Sequence, residues 1–403
     1  MNVKKYSWVF LMALFFSMKT NAQSDIRVFG KDKNALITNK QKLKDKKGDI
    51  YTAYLSLLSK ADKLLSKPPH SVMEKKQMPP SKDIHDYMSI AIYYWPDPSK
   101  PNGLPYMRKD GEINPEVADF KDKANMMNFA DDVQILSLAY YFSDDKKYAD
   151  KAAEYLKTWF IDTATKMNPN LNYAQAIKGL NDGRGIGIIE SRILINVVDA
   201  IGLIQNSPSW SKADQKSVET WFTDFLSWLT TSKNGIDEMK TKNNHGIWYD
   251  TQKLCFALFT NHKEIAQQTY NSLLDRVEKQ MDTSGFFPLE LERTIGLHYS
   301  AFIIEPLMLI ANMADAMNID YWNYSSASGK TLKKATVALV PYITKEKKWF
   351  TQQIKPFEDE EYGAPILAYA YYKYNCKNCV EAIYSFNKKN AAESILHLTT
   401  LID

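Results

Sequence analysis

The chain has 403 residues, of which 45% are hydrophobic and 24% charged, with a formal net charge of +4. This is the composition of a soluble globular protein with a large core. So small an excess, with no Lys/Arg block, carries no footprint of nucleic-acid binding, though it is compatible with a polyanionic partner.

The first residues have the layout of a secretory signal peptide. Lys4 and Lys5 precede an apolar run from Trp8 to Phe16, and Asn21-Ala22 then precedes Gln23 as a small-residue cleavage site. The run is too short to span a bilayer as an anchor. Residues 1–22 are therefore expected to be a signal peptide, and 23–403 a single exported domain, periplasmic or secreted. No Cys lies near the cleavage site, which speaks against lipid attachment. No later stretch of about 20 apolar residues predicts membrane insertion of the mature chain. Of the three cysteines, Cys255 reads as core. Cys376 and Cys379 could close a local disulfide after export. A redox role would need a βαβ context, and one Cys pair makes a poor zinc site.

Helical periodicity dominates the rest. Phe129, Val133, Leu136 and Tyr140 share one face, followed by a Ser143-Asp144-Asp145 turn. Tyr148, Ala152, Tyr155 and Trp159 form the next stripe, and Ile189, Ile193, Val197, Ala200 and Ile204 another. Beyond the Ser207-Pro208-Ser209 break come Val218, Phe222, Phe225 and Leu229, then Ala266, Tyr270, Leu273 and Val277. The last is Phe302, Pro306, Leu307 and Ile310, with a possible kink at Pro306. No run of alternating strands suggests a separate β-sandwich. Antiparallel helix pairs without a fixed repeat favour an all-α fold, an (α/α) toroid in the form of an incomplete barrel, over a repeat solenoid.

Two segments break the pattern. Tyr93 to Glu116 holds Pro96, Pro98, Pro101 and Pro105, which rule out a helix across it and leave a lid or a solvated crossover. Met167 to Gly187 ends in Gly183, Gly185 and Gly187. That spacing is not the dinucleotide fingerprint, and no strand is expected before it.

Polar residues concentrate in two places. Asn243-Asn244-His245-Gly246 opens a helix, and could be a cap or a cleft-lining group. Glu290-Leu291-Glu292-Arg293 leads to His298-Tyr299, where Glu290 and Arg293 could be a surface i,i+3 pair and Tyr299 a core aromatic. Together these stretches resemble the alginate lyase family, helical-toroid lyases acting on polyuronates. The Asn-Asn-His motif stands as Asn243-Asn244-His245, and the Glu-Leu-x-Arg segment with its downstream tyrosine as Glu290-Leu291-Glu292-Arg293 and Tyr299. YYWPDP and NPNLNYAQAIKGLNDGRGIGIIES extend the likeness over residues 83–309. One difference marks a divergent branch: the arginine-to-tyrosine spacing is a residue shorter than in the best-known bacterial members, and His298 precedes Tyr299 rather than following it.

The resemblance implies β-elimination, in which the C5 proton of a uronate is removed and the C4 oxygen expelled. Donors to the carboxylate stabilise the doubly charged, enolate-like intermediate, each worth about 3 kcal/mol. It assigns Asn244 and His245 to this role, with Arg293 nearby, and Tyr299 as base and acid. Arg293 is expected to favour the Tyr299 phenolate. On mannuronate and glucuronate one tyrosine can serve both proton transfers. On guluronate they fall on opposite faces, and His245 could be the base. Asn243, Arg184, Tyr106, Arg108, Trp248 and His298 are expected to contact substrate, Tyr106 and Arg108 from the lid. Trp95 could also stack on a sugar, and Arg184 could instead pair with Glu190 or Asp182. His85 has no assigned partner, and His70, His262 and His397 read as structural or surface residues. An acidic polysaccharide is the expected partner, with mannuronate polymers or glucuronan preferred. No metal or other cofactor is expected, because no spaced ligand set occurs. Two alternatives remain. A glycoside hydrolase would need a carboxylate pair from among Asp131, Asp132, Glu190 and Glu290. A non-catalytic polysaccharide-binding protein would keep the aromatic and basic contacts alone.

Overall fold

The computed structural model describes residues 26–386 and 390–402; the expected signal peptide lies outside them. The chain winds as a helical toroid. After α1 (Lys33–Lys42) and α2 (Gly48–Leu64), the helices alternate between an inner and an outer position. The inner ones are α3 (Lys121–Ser143), α5 (Leu194–Ile204) and α8 (Asn244–Phe259), then α11 (Gly296–Ala316) and α13 (Ala364–Tyr374). Each packs on the next, and α4 (Lys146–Phe160), α6 (Lys212–Thr231), α9 (Lys263–Gln280) and α12 (Leu332–Ile343) back them from outside. Short α7 (Lys233–Met239), α10 (Pro288–Leu291), α14 (Cys379–Phe386) and α15 (Leu396–Thr399) complete the set.

Position in the ring follows from apolar content. Ten of the eleven residues of α5 are buried, so it is enclosed on every side. By contrast α4 is amphipathic and buries one stripe, including Tyr148, Ala152, Tyr155 and Trp159. The Trp159 indole stacks on Phe129 of α3, with centroids 4.6 Å apart, a pair worth about 1 kcal/mol beyond its buried area. Side-chain caps start several helices: Asp145 accepts from the Lys147 amide, and Ser211 with Asp214 forms a capping box. Each cap contributes about 1 kcal/mol. Among the described residues, α11 is the one helix long and apolar enough to cross a membrane, but its apolar residues are buried in the ring. Pro306 lies inside it. Cys376 and Cys379 form a disulfide, and Cys255 is buried and free.

Two expectations need correction. The Ile189 stripe is not one α-helix: Gly185–Ile193 is a 3-10 segment that hands over to α5 at Leu194. Both irregular segments also contain strands. In one, β2 (Tyr94–Trp95) pairs antiparallel with β3 (Met107–Arg108). In the other, β4 (Tyr173–Ala176) pairs parallel with β1 (Met88–Ile90). Such two- to four-residue strands are too short for a period-2 signal. The Gly-rich run serves this packing, since a Cβ on Gly183 would lie 2.0 Å from the Asn172 carbonyl oxygen.

Candidate active site

The chain segments before α3, α5, α8 and α11 converge on a cavity of about 490 Å³. It is lined by Asn243, Asn244, His245, Arg293, His298 and Tyr299, so the two sequence clusters meet. Arg108 and Arg184 also reach it.

Asn244 and His245 occupy the first turn of α8. Asn243 precedes them in extended conformation, and its side chain makes no capping bond. The cap comes from elsewhere. Glu290, fully buried, accepts from the Asn244 amide N–H at 2.6 Å and from Asn244 Nδ2 at 2.8 Å. A carboxylate at a helix N-terminus meets unpaired N–H groups and the positive end of the dipole. Burial raises the Glu290 carboxyl above its ordinary value, against the two bonds from Asn244. Glu290 and Arg293 are therefore not a surface pair. His245 Nδ1 lies 2.7 Å from Oε1 of the buried Glu238. That contact places a proton on Nδ1 and leaves Nε2 for other work. Gly246 must be glycine because a Cβ would sit 2.2 Å from Arg276 Nη1 and 2.4 Å from the Thr241 oxygen. Arg276 itself donates to the Thr241 and Met239 carbonyls and to Asp250, closing the loop beneath the motif.

Tyr299 lies in the first turn of α11, which is anchored where Gly296 N–H donates to the Gln352 carbonyl and Leu297 N–H to Gln353 Oε1. The Arg293 guanidinium lies over its ring, 3.5 Å from the centroid. Arg293 is held by Asp110 through Nη2–Oδ1 at 2.6 Å and Nε–Oδ2 at 3.0 Å. Burial works to raise the Asp110 carboxyl, but the bonds and charge of Arg293, with Arg108, hold it far below its ordinary range. The expected effect on Tyr299 is reversed. Burial and the neighbouring Tyr93 push the Tyr299 hydroxyl well above its ordinary value, and the opposing Arg293 does not overcome them. A cation already paired with a carboxylate has little net field left for the phenol. Tyr299 Oη donates to Tyr93 Oη at 3.1 Å.

The remaining expectations divide. Arg184 pairs with neither Glu190 nor Asp182; it donates to the Gln175 carbonyl and to Gln175 Oε1, and lies over the Tyr94 ring. Gln175 is buried with φ +50°, a conformation that costs a non-glycine residue energy and that this clamp holds in place. His298 lines the cavity, 3.3 Å from Glu358 and packed on Tyr362. Trp248 cannot stack on a sugar: it is 1% exposed, beneath Phe302 and Arg192. Tyr106 is not part of the cavity lining; its hydroxyl is bound to both oxygens of Glu116, and Lys178 lies over its ring. Trp95 donates to the Glu112 carbonyl and carries Lys109 over its ring. Away from the site, His85 bonds the Lys166 carbonyl, His70 lies by Asp132, and His262 bonds Thr260.

Three of the four carboxylates considered for a hydrolase are already engaged. Glu290 is sealed against Asn244, Asp132 faces His70, and Glu190 accepts from Tyr87 and Ser89. Among the described residues no group of three His, Cys, Asp or Glu side chains could hold a metal ion. The sequence reading missed Tyr93, Asp110, Gln175 and Glu238. Tyr93 and Asp110 act through partners about 200 residues away and Gln175 through its backbone geometry, whereas Glu238 lies only seven residues before His245 and was within reach of a local reading.

Comparison with known proteins gives the family and the fold. The family model described as alginate lyase matches residues 71–349. A crystal structure of an alginate lyase from Bacteroides ovatus shares 35% identity at a TM-score of 0.87, over 93% of this chain and 100% of that one. A variant of alginate lyase A1-III from Sphingomonas species A1, complexed with a tetrasaccharide, shares 16% identity at a TM-score of 0.50. That match covers 80% of this chain and 88% of the other, and bears on the fold alone. No curated protein matches this chain by sequence.

Proposed function

This chain belongs to the alginate lyase family and is a polysaccharide lyase acting on alginate; on that premise we propose that it prefers mannuronate or glucuronate units and eliminates with Tyr299 as both base and acid. The observation that carries this reading is the meeting of Tyr299, Arg293, Asn244 and His245 around one cavity. Six cationic side chains line it, Arg108, Lys123, Arg184, Arg192, Arg293 and Lys355, against the carboxylates of Glu190, Glu358 and Glu361 and of Asp110, which pairs with both Arg108 and Arg293. That balance favours a polyanion and gathers it from solution. The A1-III variant was crystallised with a tetrasaccharide, and an oligosaccharide is the occupant proposed for the cavity here.

The chain's residues divide the reaction between them. Asn244, through the Nδ2 hydrogen that Glu290 does not take, and His245, through a protonated Nε2, donate toward the uronate carboxylate, where negative charge grows as the C5 proton leaves. These bonds strengthen in the transition state more than in the ground state. Tyr299, as the phenolate, takes the C5 proton and returns it to O4 on the same face of the sugar. His245, with Nδ1 engaged by Glu238, meets the substrate through Nε2: carrying a proton there it donates to the carboxylate, and without one it is the base that guluronate would require. Glucuronate shares the relevant face with mannuronate, so glucuronan is the second polymer to test. Export to the periplasm or beyond, by the expected signal peptide, would bring the enzyme to such polymers.

The test is formation of the unsaturated uronate end, followed by near-ultraviolet absorbance on purified polymannuronate, polyguluronate and glucuronan. A faster initial rate on polymannuronate or glucuronan is expected. A clear preference for polyguluronate would reverse the roles, making His245 the base and Tyr299 the acid.

A further inference from the structure

The cations of the cavity are not equivalent. Arg108 and Arg293 share Asp110, and Lys123 pairs with Glu190. Arg184 is held by Gln175, and Arg192 bonds the Ile189 carbonyl and lies over the rings of Trp248 and Phe302. Lys355 differs from all of these. It lines the cavity, yet among the described residues its ammonium makes no hydrogen bond, ion pair or ring contact. The nearby carboxylates are engaged elsewhere: Glu358 turns to His298, Glu361 lies beside the Tyr362 hydroxyl, and Asp359 pairs with Lys345.

The backbone fixes where Lys355 stands. Residues 352–355 run beside the turn that carries Arg293 into α11. Ile354 N–H donates to the Thr294 carbonyl at 3.0 Å, and Gly296 N–H to the Gln352 carbonyl at 2.9 Å. Ile295 and Gln353 form an antiparallel bridge. The Gln353 side chain closes the join, with Oε1 accepting from Leu297 N–H and Nε2 donating to the Lys355 carbonyl. Exposure alternates along this extended stretch: Gln352 and Ile354 are exposed, Gln353 and Lys355 half-buried. A fixed backbone thus presents a point charge on a flexible stem at the cavity wall. The stretch lies beyond residues 71–349, which the family model matches.

We propose that Lys355 is a substrate-binding residue that pairs with the carboxylate of a uronate adjoining the one at Tyr299. This rests on the reading of the cavity as a polyuronate site. Each unit of such a polymer carries its own carboxylate, and Asn244 and His245 serve that of the reacting unit alone. A neighbouring unit therefore brings in an anion that needs a second cation. Its charge does not change as the C5 proton leaves, so Lys355 acts on KM rather than on kcat.

The test reads binding and turnover separately. Tyr299→Phe, used so that the ligand stays uncut, is titrated calorimetrically with mannuronate, guluronate and glucuronate tetrasaccharides, with and without Lys355→Gln. For the tightest binder, Lys355→Gln is expected to raise Kd about tenfold, the scale of one charge-assisted pair. Its Kd should also rise less steeply with added salt, and Lys355→Arg should recover most of the loss. In the enzyme with Tyr299 intact, Lys355→Gln should raise KM with kcat within about twofold. Should Lys355→Gln not fold, Lys355→Met, which keeps the apolar stem, takes its place. An unchanged Kd and salt dependence, or a fall in kcat with KM unmoved, overturns this inference alone. If a tetrasaccharide binds but the wild type makes no unsaturated ends, the lyase reading fails and the Kd still decides this inference. If none of the three binds, both fail together.

Discussion

Asp110 grips Arg293 with two hydrogen bonds, of 2.6 and 3.0 Å, and so holds the guanidinium flat over the ring of Tyr299. Asp110 comes from the loop after β3, and Arg293 from the turn before α11. The loop also binds Thr294, whose Oγ1 donates to the Asp110 carbonyl. The Pro-rich segment is thereby tied to the site through Asp110, in addition to the contact of Tyr93 with Tyr299.

Asp110→Asn should therefore disorder Arg293 and free its charge. A planar fork needs a matching carboxylate to be held in one pose. We expect kcat to fall at least about tenfold through lost placement. The ascending limb of the pH profile should move to lower pH, because an unpaired cation beside Tyr299 favours the phenolate. Steady-state kinetics across pH check both; a limb moved upward would contradict this electrostatic account.

Tyr299→Phe should lower kcat by at least about 10² while leaving the fold intact. The ring and its contacts with Arg293 and Phe302 remain, and one hydrogen bond to Tyr93 is lost. A thermal melt within a few degrees of wild type, alongside the lost rate, is the expected pair of results. Near-normal turnover would remove Tyr299 from the reaction.

Glu238→Gln should lower kcat at least about tenfold with little change in KM, because the tautomer and orientation of His245 depend on that carboxylate. His245→Ala and Asn244→Ala should likewise act on kcat more than on KM. If KM alone moved, these residues would be binding groups.

Glu290 connects the site to stability. Its carboxyl is raised in the folded protein, so between the ordinary value of about 4.3 and the folded value the native state binds more protons than the unfolded one. The stability it contributes is fully present below that ordinary value and is lost as pH rises through the folded one. Glu290→Gln lacks this term. The melting temperature of wild type relative to Glu290→Gln should therefore decline over this range and then level off. A difference that rises with pH would mean the carboxylate is stabilised rather than penalised by its burial.

Gly246→Ala should destabilise the fold by about 1–3 kcal/mol, the usual cost of overpacking. The added carbon meets the Arg276 guanidinium and the Thr241 carbonyl, and Arg276 is fastened by three partners. Chemical denaturation checks this, and an unchanged midpoint would show that Arg276 can move aside.

The sequence by itself determined the helical class, the main apolar stripes and the two polar clusters. These are local properties: a 3.6-residue period marks its face whatever it packs against, and motif residues within a few positions share a turn. The family likeness added the roles of Asn244, His245, Arg293 and Tyr299. Tertiary structure alone decided the rest. Asp110 reaches Arg293 across 183 residues, and Tyr93 reaches Tyr299 across 206. No periodicity records such pairings, because they depend on where two loops end once the ring has closed. Trp248 and Tyr106 show the same limit from the other side. Both are residue types suited to sugar contact, yet one is buried and the hydroxyl of the other is bound to Glu116. The proton affinity of Tyr299 was also undecided in the chain: Arg293 nearby argued for the phenolate, and only the folded site shows that cation already paired and the hydroxyl buried.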